Sequence, residues 1–211
     1  ILPDLSAGCA MADMADLEQV ERAWQELNSV LDADEHITPV TYINSAANLK
    51  SFCGRHGGIV CTSTNAQKIL EWSFERREKV LFFPDQHLGR NTGHRLGIRD
   101  NEMLLLDADL SAEPIRSACM FLWPGACNVH RRFRLEHLRA MREDHPDVRI
   151  IVHPECSSDV VEQADDDGST AHIIRRISEA ASGTTWAVGT EARLVRRLDR
   201  RHPDKTVIPL A

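Results

Sequence analysis

The sequence predicts an α/β protein built of tandem three-layer αβα units, each a short parallel sheet with helices on its faces. Three observations predict it. Apolar runs of strand length alternate with stretches of helical periodicity, the βαβ pattern of a parallel sheet. Nearly every strand run ends in polar or reactive residues that lead straight into a helix start. The alternation pauses after residue 90 and restarts at 118, so two units of similar plan follow one another, an internal repeat of architecture. The expected units are residues 1–117, with an insertion or linker at about 90–117, and residues 118–211.

The elements follow in order. Ile1-Leu2-Pro3-Asp4 opens as a strand end, followed by Gly8-Cys9. Asp13 to Leu31 is the clearest helix: Leu17, Val20, Trp24, Leu27 and Leu31 share one face, and Asp16-x-x-Gln19 resembles a capping box. Val40–Ile43 reads as a strand, and Asn44-Ser45 leads into a short helix that ends at Gly54. Gly58–Cys61 is a second strand, with Thr62-Ser63-Thr64 capping a helix through Phe74. Val80–Phe83 is a third, ended by Pro84-Asp85. After the weakly periodic 90–117 stretch, Cys119–Trp123 is a strand and Val129–Arg142 a helix. Val148–His153 is the next strand, and Ser158–Ala164 a short helix closed by Asp167-Gly168. Ser169-Thr170 caps a helix over Ile173–Ala181. Thr185–Val188, Glu191–Arg200 and Val207–Leu210 complete the pattern as strand, helix and strand.

Composition narrows the function classes. Hydrophobic residues make up 42% and charged residues 27% of the 211, ordinary for a globular chain. A formal charge of −7 argues against a nucleic-acid partner, which needs clustered cations. Arg131-Arg132 and Arg196-Arg197 read as solvated helix faces. No apolar run approaches the roughly 20 residues of a membrane span, and no signal peptide is visible, so the expected location is cytoplasmic. The chain opens on a buried-strand pattern without Met, which suggests a fragment.

Six cysteines without secretory features do not read as a disulfide framework. Cys53, Cys61 and Cys119 sit inside apolar runs, as inert buried thiols do. Cys9 and Cys127 suit that reading poorly, because each follows closely on a Gly in a loop that ends a strand. They occupy matching places in successive units. Thiolates converging on a common axis would suit an iron–sulfur cluster or zinc; inert cysteines are the alternative.

Strand ends supply the other candidates. Phe121–His130 breaks at Pro124-Gly125 and presents Cys127 and His130 where parallel α/β folds bind ligands. His153-Pro154-Glu155 could be an acid–base pair, or a capping Glu beside a histidine satisfied by backbone. Tyr42 is either a rim aromatic or a phenol donating to a substrate oxygen. Thr62-Ser63-Thr64-Asn65 and Gly168-Ser169-Thr170 could cradle anions at helix N-termini, or simply cap them. An anionic small molecule is the natural guest of such an edge.

The pieces then form a recognisable series: Pro3-Asp4, Ala7-Gly8-Cys9, Tyr42-x-Asn44, Cys61-Thr62-Ser63-x-Asn65-Ala66, Pro84-Asp85-Gln86-x-Leu88-Gly89, Trp123-x-Gly125-x-Cys127-x-Val129-His130, His153-Pro154-Glu155-Cys156, Gly168-Ser169-Thr170 and Gly189-Thr190-Glu191. In this order they closely resemble the quinolinate synthase (NadA) family over nearly the whole chain. The resemblance implies three pseudo-symmetric α/β units, of which this chain carries the second and third, around a [4Fe–4S] cluster held by three cysteines. It implies a transferase of NAD biosynthesis that condenses iminoaspartate with dihydroxyacetone phosphate, releasing phosphate and two waters. An aspartate-oxidising enzyme supplying iminoaspartate is the implied protein partner. Cys9 and Cys127 carry over as cluster ligands. Tyr42, Asn44, Ser63, His130, His153, Glu155 and Thr170 carry over to the substrate site, with Glu155, His153 and Tyr42 as its catalytic groups. The open iron is expected to act as Lewis acid in dehydration. The family's first unit and its third cysteine fall outside the chain, which alone is expected to be inactive. The competing reading is a two-unit scaffold or metal-binding fragment.

Overall fold

The computed structural model describes residues 8–107 and 111–211. The strand expected at residues 1–4 lies outside them. Two compact units divide the chain, Ile1–Ala126 and Cys127–Ala211.

In the first unit, helix α1 (Leu17–Val30) starts where its sequence says it should. The Asp16 carboxylate accepts from the Gln19 N–H at 2.8 Å, and the Gln19 side chain accepts from the Asp16 N–H at 3.3 Å. A one-turn helix α2 (Ala33–His36) leads into strand β1 (Ile37–Tyr42), followed by α3 (Ala47–Arg55), β2 (Ile59–Cys61), α4 (Ala66–Phe74), β3 (Lys79–Phe83) and α5 (Gln86–Arg95). A 3-10 turn (Asp100–Glu102) precedes β4 (Met103–Leu105), α6 (Ala112–Ser117) and β5 (Met120–Leu122). All five strands are parallel, in the order β2-β1-β3-β5-β4.

β3 shows why the strands read so clearly. Its sequence, KVLFF, is buried throughout, as expected of a central parallel strand covered on both faces. Leu81 and Phe83 point into a core with Val20, Trp24, Leu27, Leu49, Phe52, Ile115 and Phe121, contributed largely by α1, α3 and α6. On the opposite face Phe82 and Leu122 meet α5 so closely that Gly89 leaves no room for a Cβ. Each fully buried Phe or Leu of this kind contributes about 1.5–3 kcal/mol relative to exposure. The polar member, Lys79, lays its stem in the strand and donates its ammonium to the carbonyls of Arg116 and Ala118 at 2.9 and 2.6 Å.

The sheet pairing corrects the expected boundary. β5 hydrogen-bonds to both β3 and β4, so the strand assigned to the second unit belongs to the first, and the division falls after Ala126 instead of at 117. The 90–117 stretch is not a linker: it completes α5, adds the edge strand β4 and adds α6, whose Ile115 closes the core. Its periodicity is weak because β4 is three residues long and mostly half-buried.

The second unit repeats the plan. A 3-10 turn (His130–Arg132) leads to α7 (Leu135–Asp144), β6 (Arg149–Val152), α8 (Ser158–Gln163), β7 (Asp166–Asp167), α9 (Thr170–Glu179), β8 (Thr185–Gly189), α10 (Ala192–Arg201) and β9 (Thr206–Pro209). The parallel sheet runs β7-β6-β8-β9, matching β2-β1-β3 of the first unit in its opening three strands. One face packs on α7 and α8 through Leu138, Ile150, Val152 and Val160. The other packs on α9 and α10 through Ile151, Ile173, Ile177, Val188, Val195 and Leu198. The helix expected from Val129 to Arg142 is two pieces, because Phe133 and Arg134 are extended between the turn and α7. No helix among the described residues is long and apolar enough to cross a membrane.

Candidate active site and metal centre

In each unit the strand order reverses about one central strand, β1 in the first and β6 in the second. The carboxyl edge beside such a reversal is where helices leave in opposite directions and open a crevice for ligands. The loops that follow β6 and β8 carry His153, Glu155 and Thr190 to that edge of the second sheet. His153 donates its N–H to the Gly189 carbonyl at 3.1 Å, which continues the β6–β8 ladder one residue past the strands.

His130 joins them from the turn before α7. It is 8% exposed, and Glu155 only 3%, so their contact is sheltered from water. His130 Nδ1 lies 2.8 Å from Glu155 Oε2, and its Nε2 lies 3.1 Å from the Thr190 hydroxyl. The His153 ring stacks on the His130 ring with centroids 4.3 Å apart and planes 14° apart. His153 Nδ1 accepts the backbone N–H of Glu155 at 3.3 Å, which leaves Nε2 as the protonated nitrogen of the neutral ring. The side chain of Glu155 therefore works against His130, while its backbone orients His153. The acid–base pair read from His153-Pro154-Glu155 acquires a third member that sequence spacing did not connect to it.

Cys127 completes the group. Its Sγ, a ring nitrogen of His130 and a carboxylate oxygen of Glu155 all lie within 4.8 Å of one another. Burial pushes the Cys127 thiol up to about 11; the Glu155 carboxylate adds to that, against backbone N–H groups of His130 and Val129. A sulfur in this setting is a neutral thiol by itself and becomes a thiolate when a cation binds it. The donor set thus fits a soft metal centre. All six cysteines are thiols. Burial holds Cys53 up to about 12 and also raises Cys61, which fits both as inert core sulfur.

The other residues singled out by sequence divide between the units. Tyr42 ends β1 and is buried, Asn44 follows it half-buried, and Ser63 follows β2, so all three lie at the carboxyl edge of the first sheet. Cys9 is exposed in a turn of that unit, its carbonyl accepting from the Ala12 N–H. The loop after β2 is braced internally: Asn65 Oδ1 accepts from the Thr62 N–H at 2.6 Å and the Thr62 hydroxyl at 2.9 Å, and does not cap α4. Thr170, exposed, opens α9 behind the N-cap Ser169, whose hydroxyl accepts from the His172 N–H. Thr190 was not among the expected site residues. Its signal was present in Gly189-Thr190-Glu191, a polar residue one step past a buried strand end.

Comparison with known proteins agrees with this architecture. Residues 1–211 match the family described as "Quinolinate synthetase A protein". Among similar proteins are the quinolinate synthases of Rhodopirellula baltica, 51% identical over 98% of this chain and 54% of the relative's length, and of Halalkalibacterium halodurans, 50% identical over 100% and 58%. That of Bacillus subtilis is 48% identical over 98% and 57%. The chain spans little more than half the length of the curated relatives it matches.

Proposed function

We propose, from the premise that the chain belongs to the quinolinate synthetase A family, that the intact protein is a quinolinate synthase. In this reading it condenses iminoaspartate with dihydroxyacetone phosphate in NAD biosynthesis, in the cytoplasm, beside an aspartate-oxidising enzyme that supplies iminoaspartate. The observation that carries the reading is the buried Glu155–His130 pair, stacked on His153 at the strand-order reversal of the second sheet.

The reaction needs protons removed from and returned to substrate carbon and oxygen. Glu155, sheltered from water, holds a proton jointly with His130 Nδ1 and can release or recover it without waiting for solvent. Thr190 fixes the far nitrogen of His130, so the ring cannot turn away from the carboxylate. His153, with its Nδ1 held by backbone, carries the proton of its neutral ring on Nε2 and braces the His130 ring by stacking on it. Tyr42, Asn44 and Ser63 at one edge, and Thr170 at a helix start, supply the hydroxyl, amide and N–H donors suited to carboxylate and phosphate.

Cys9 and Cys127 would hold a [4Fe–4S] cluster together with a third cysteine outside this chain. When bound, the group supplies a Lewis-acidic iron for a departing hydroxyl.

Glu155→Gln tests the reading. The amide keeps the shape of the carboxylate and one acceptor oxygen for His130 Nδ1, but cannot take up or release the proton. In the intact enzyme, turnover should fall by about 10²–10⁴, while the brown chromophore of the reconstituted cluster persists. A variant turning over at the parental rate would remove Glu155 from the mechanism. Cys127→Ser, in contrast, should abolish the chromophore.

A further inference from the structure

We propose that Cys127, His130 and Glu155 form a mononuclear site for zinc in the protein that carries no cluster. This inference goes beyond the cluster reading and does not depend on it, because all three donors belong to the second unit.

The donors are one sulfur, one imidazole nitrogen and one carboxylate oxygen. This mixture suits zinc far better than magnesium or calcium, which take oxygen. Bond lengths of about 2.0–2.3 Å place the donors of a tetrahedral zinc roughly 3.3–3.8 Å apart. Here His130 Nδ1 and Glu155 Oε2 are 2.8 Å apart, and no pair in the trio exceeds 4.8 Å. The required spacing lies inside that range, so shifts of about 1 Å convert the hydrogen-bonded trio into a coordination sphere, with the fourth place left to water.

Two features orient the imidazole for this task. With Nδ1 on the metal, Nε2 carries the proton and donates to the Thr190 hydroxyl 3.1 Å away, the kind of outer hydrogen bond that fixes a metal-binding histidine. The stacked His153 ring holds the plane of His130 from one side. Binding needs no redox partner: the metal–sulfur and metal–nitrogen bonds form as the Cys127 thiol proton and the proton between His130 and Glu155 leave to solvent. Zinc and cluster would then compete for the Cys127 sulfur.

Cobalt(II) is the probe, added anaerobically to the full chain prepared without iron and sulfide. One cobalt per chain is expected, with a sulfur-to-cobalt charge-transfer band in the near ultraviolet and visible bands of tetrahedral intensity, all erased by one equivalent of zinc. Cys127→Ser should lose the charge-transfer band. His130→Ala and Glu155→Gln should each weaken binding about tenfold or more, with circular dichroism confirming that each variant is folded. Cys119→Ser, a partly exposed thiol outside the trio, should bind as the parent does. A charge-transfer band that survives Cys127→Ser, or disappears in Cys119→Ser, overturns the site, and so does a chain that binds no cobalt. Protein that builds the iron–sulfur chromophore but gives no cobalt band defeats this site alone. A cobalt band in protein that never builds the chromophore upholds the site and defeats the cluster reading.

Discussion

Gly125 lies in the Trp123-x-Gly125-x-Cys127 stretch, and its replacement by Ala has a cost that can be worked from neighbouring atoms. An added Cβ would sit 2.2 Å from the Pro84 carbonyl oxygen, 3.2 Å from the Pro84 carbonyl carbon and 3.1 Å from Met14 Cβ. None of these is the far end of a flexible side chain. Since a carbon and a carbonyl oxygen need about 3.4 Å, the two backbone segments must part by roughly 1.2 Å. That motion opens the bridge between Asp85 and Gly125 and breaks the hydrogen bond from the Gln86 N–H to the Gly125 carbonyl, now 2.9 Å. Overpacking costs about 1–3 kcal/mol and the lost bond about 0.5–1.5, so Gly125→Ala should destabilise by about 2–4 kcal/mol. Gly54→Ala is the control. It lies in α3 with nothing within 4 Å of the added methyl, so helix propensity alone applies and stability should rise by up to about 1 kcal/mol. Urea denaturation followed by tryptophan fluorescence reads both, since Trp123 sits two residues from the clash and donates its indole N–H to the Met14 carbonyl at 2.8 Å. The midpoint should drop by about 1–2 M for Gly125→Ala. A midpoint within about 0.3 M of the parent would refute the steric reasoning, as would a larger loss for Gly54→Ala.

Thiol labelling at pH 8 should modify the exposed Cys9 first and spare Cys53 and Cys61 until the chain unfolds. With burial holding Cys53 up to about 12, its thiolate fraction at that pH is on the order of one in ten thousand, before access is considered. Peptide mass spectrometry showing native Cys53 alkylated as fast as Cys9 would contradict the packing. Asp204 offers a pH test: the Lys205 ammonium and the Ser182 hydroxyl, both at 2.8 Å, hold its carboxyl at about 2. A depressed carboxyl stabilises the fold above its ordinary value near 4 and loses that contribution as pH falls toward 2. The stability gap between parent and Asp204→Asn should therefore be open at pH 6 and close between pH 4 and pH 2; a gap independent of pH would count against the pairing.

Strands buried on both faces were legible because hydropathy alone marks them. KVLFF at β3 and RIIV at β6 needed no further information. β7 carries no such mark. Its two residues, Asp166 and Asp167, pair with β6 through backbone, and the Asp166 carboxylate serves His172 at 3.0 Å and Arg176 at 2.6 Å. A strand made only of main-chain bonds and surface ion pairs is silent to any scale of side-chain hydrophobicity. β5 differs: its apolar run is plain in the sequence, but its pairing with β3 and β4 is not. The bond from the Trp123 N–H to the Phe82 carbonyl joins residues 41 positions apart (123 − 82), and nothing local in either segment encodes it. Sheet membership, and with it the unit boundary, is long-range information.

The same division explains the site. Parallel strands deliver their carboxyl ends to one edge, so a polar residue just past a buried run is a site candidate before any distance is known. That rule reaches His153, Glu155 and Thr190 from the sequence of each loop alone. It cannot say that the Glu155 carboxylate meets His130 while its backbone meets His153, because a two-residue spacing looks the same in both cases. The partner was set by the turn at His130–Arg132, where periodicity had suggested a continuous helix from Val129. Had that helix formed, its regular twist would have governed where His130 faced. Breaking the helix at Phe133 and Arg134 frees the turn to press His130 onto the carboxylate and against the second imidazole. The break in the helical pattern and the contact in the site therefore belong together: the turn that interrupts the helix is the turn that carries His130 to the Glu155 carboxylate.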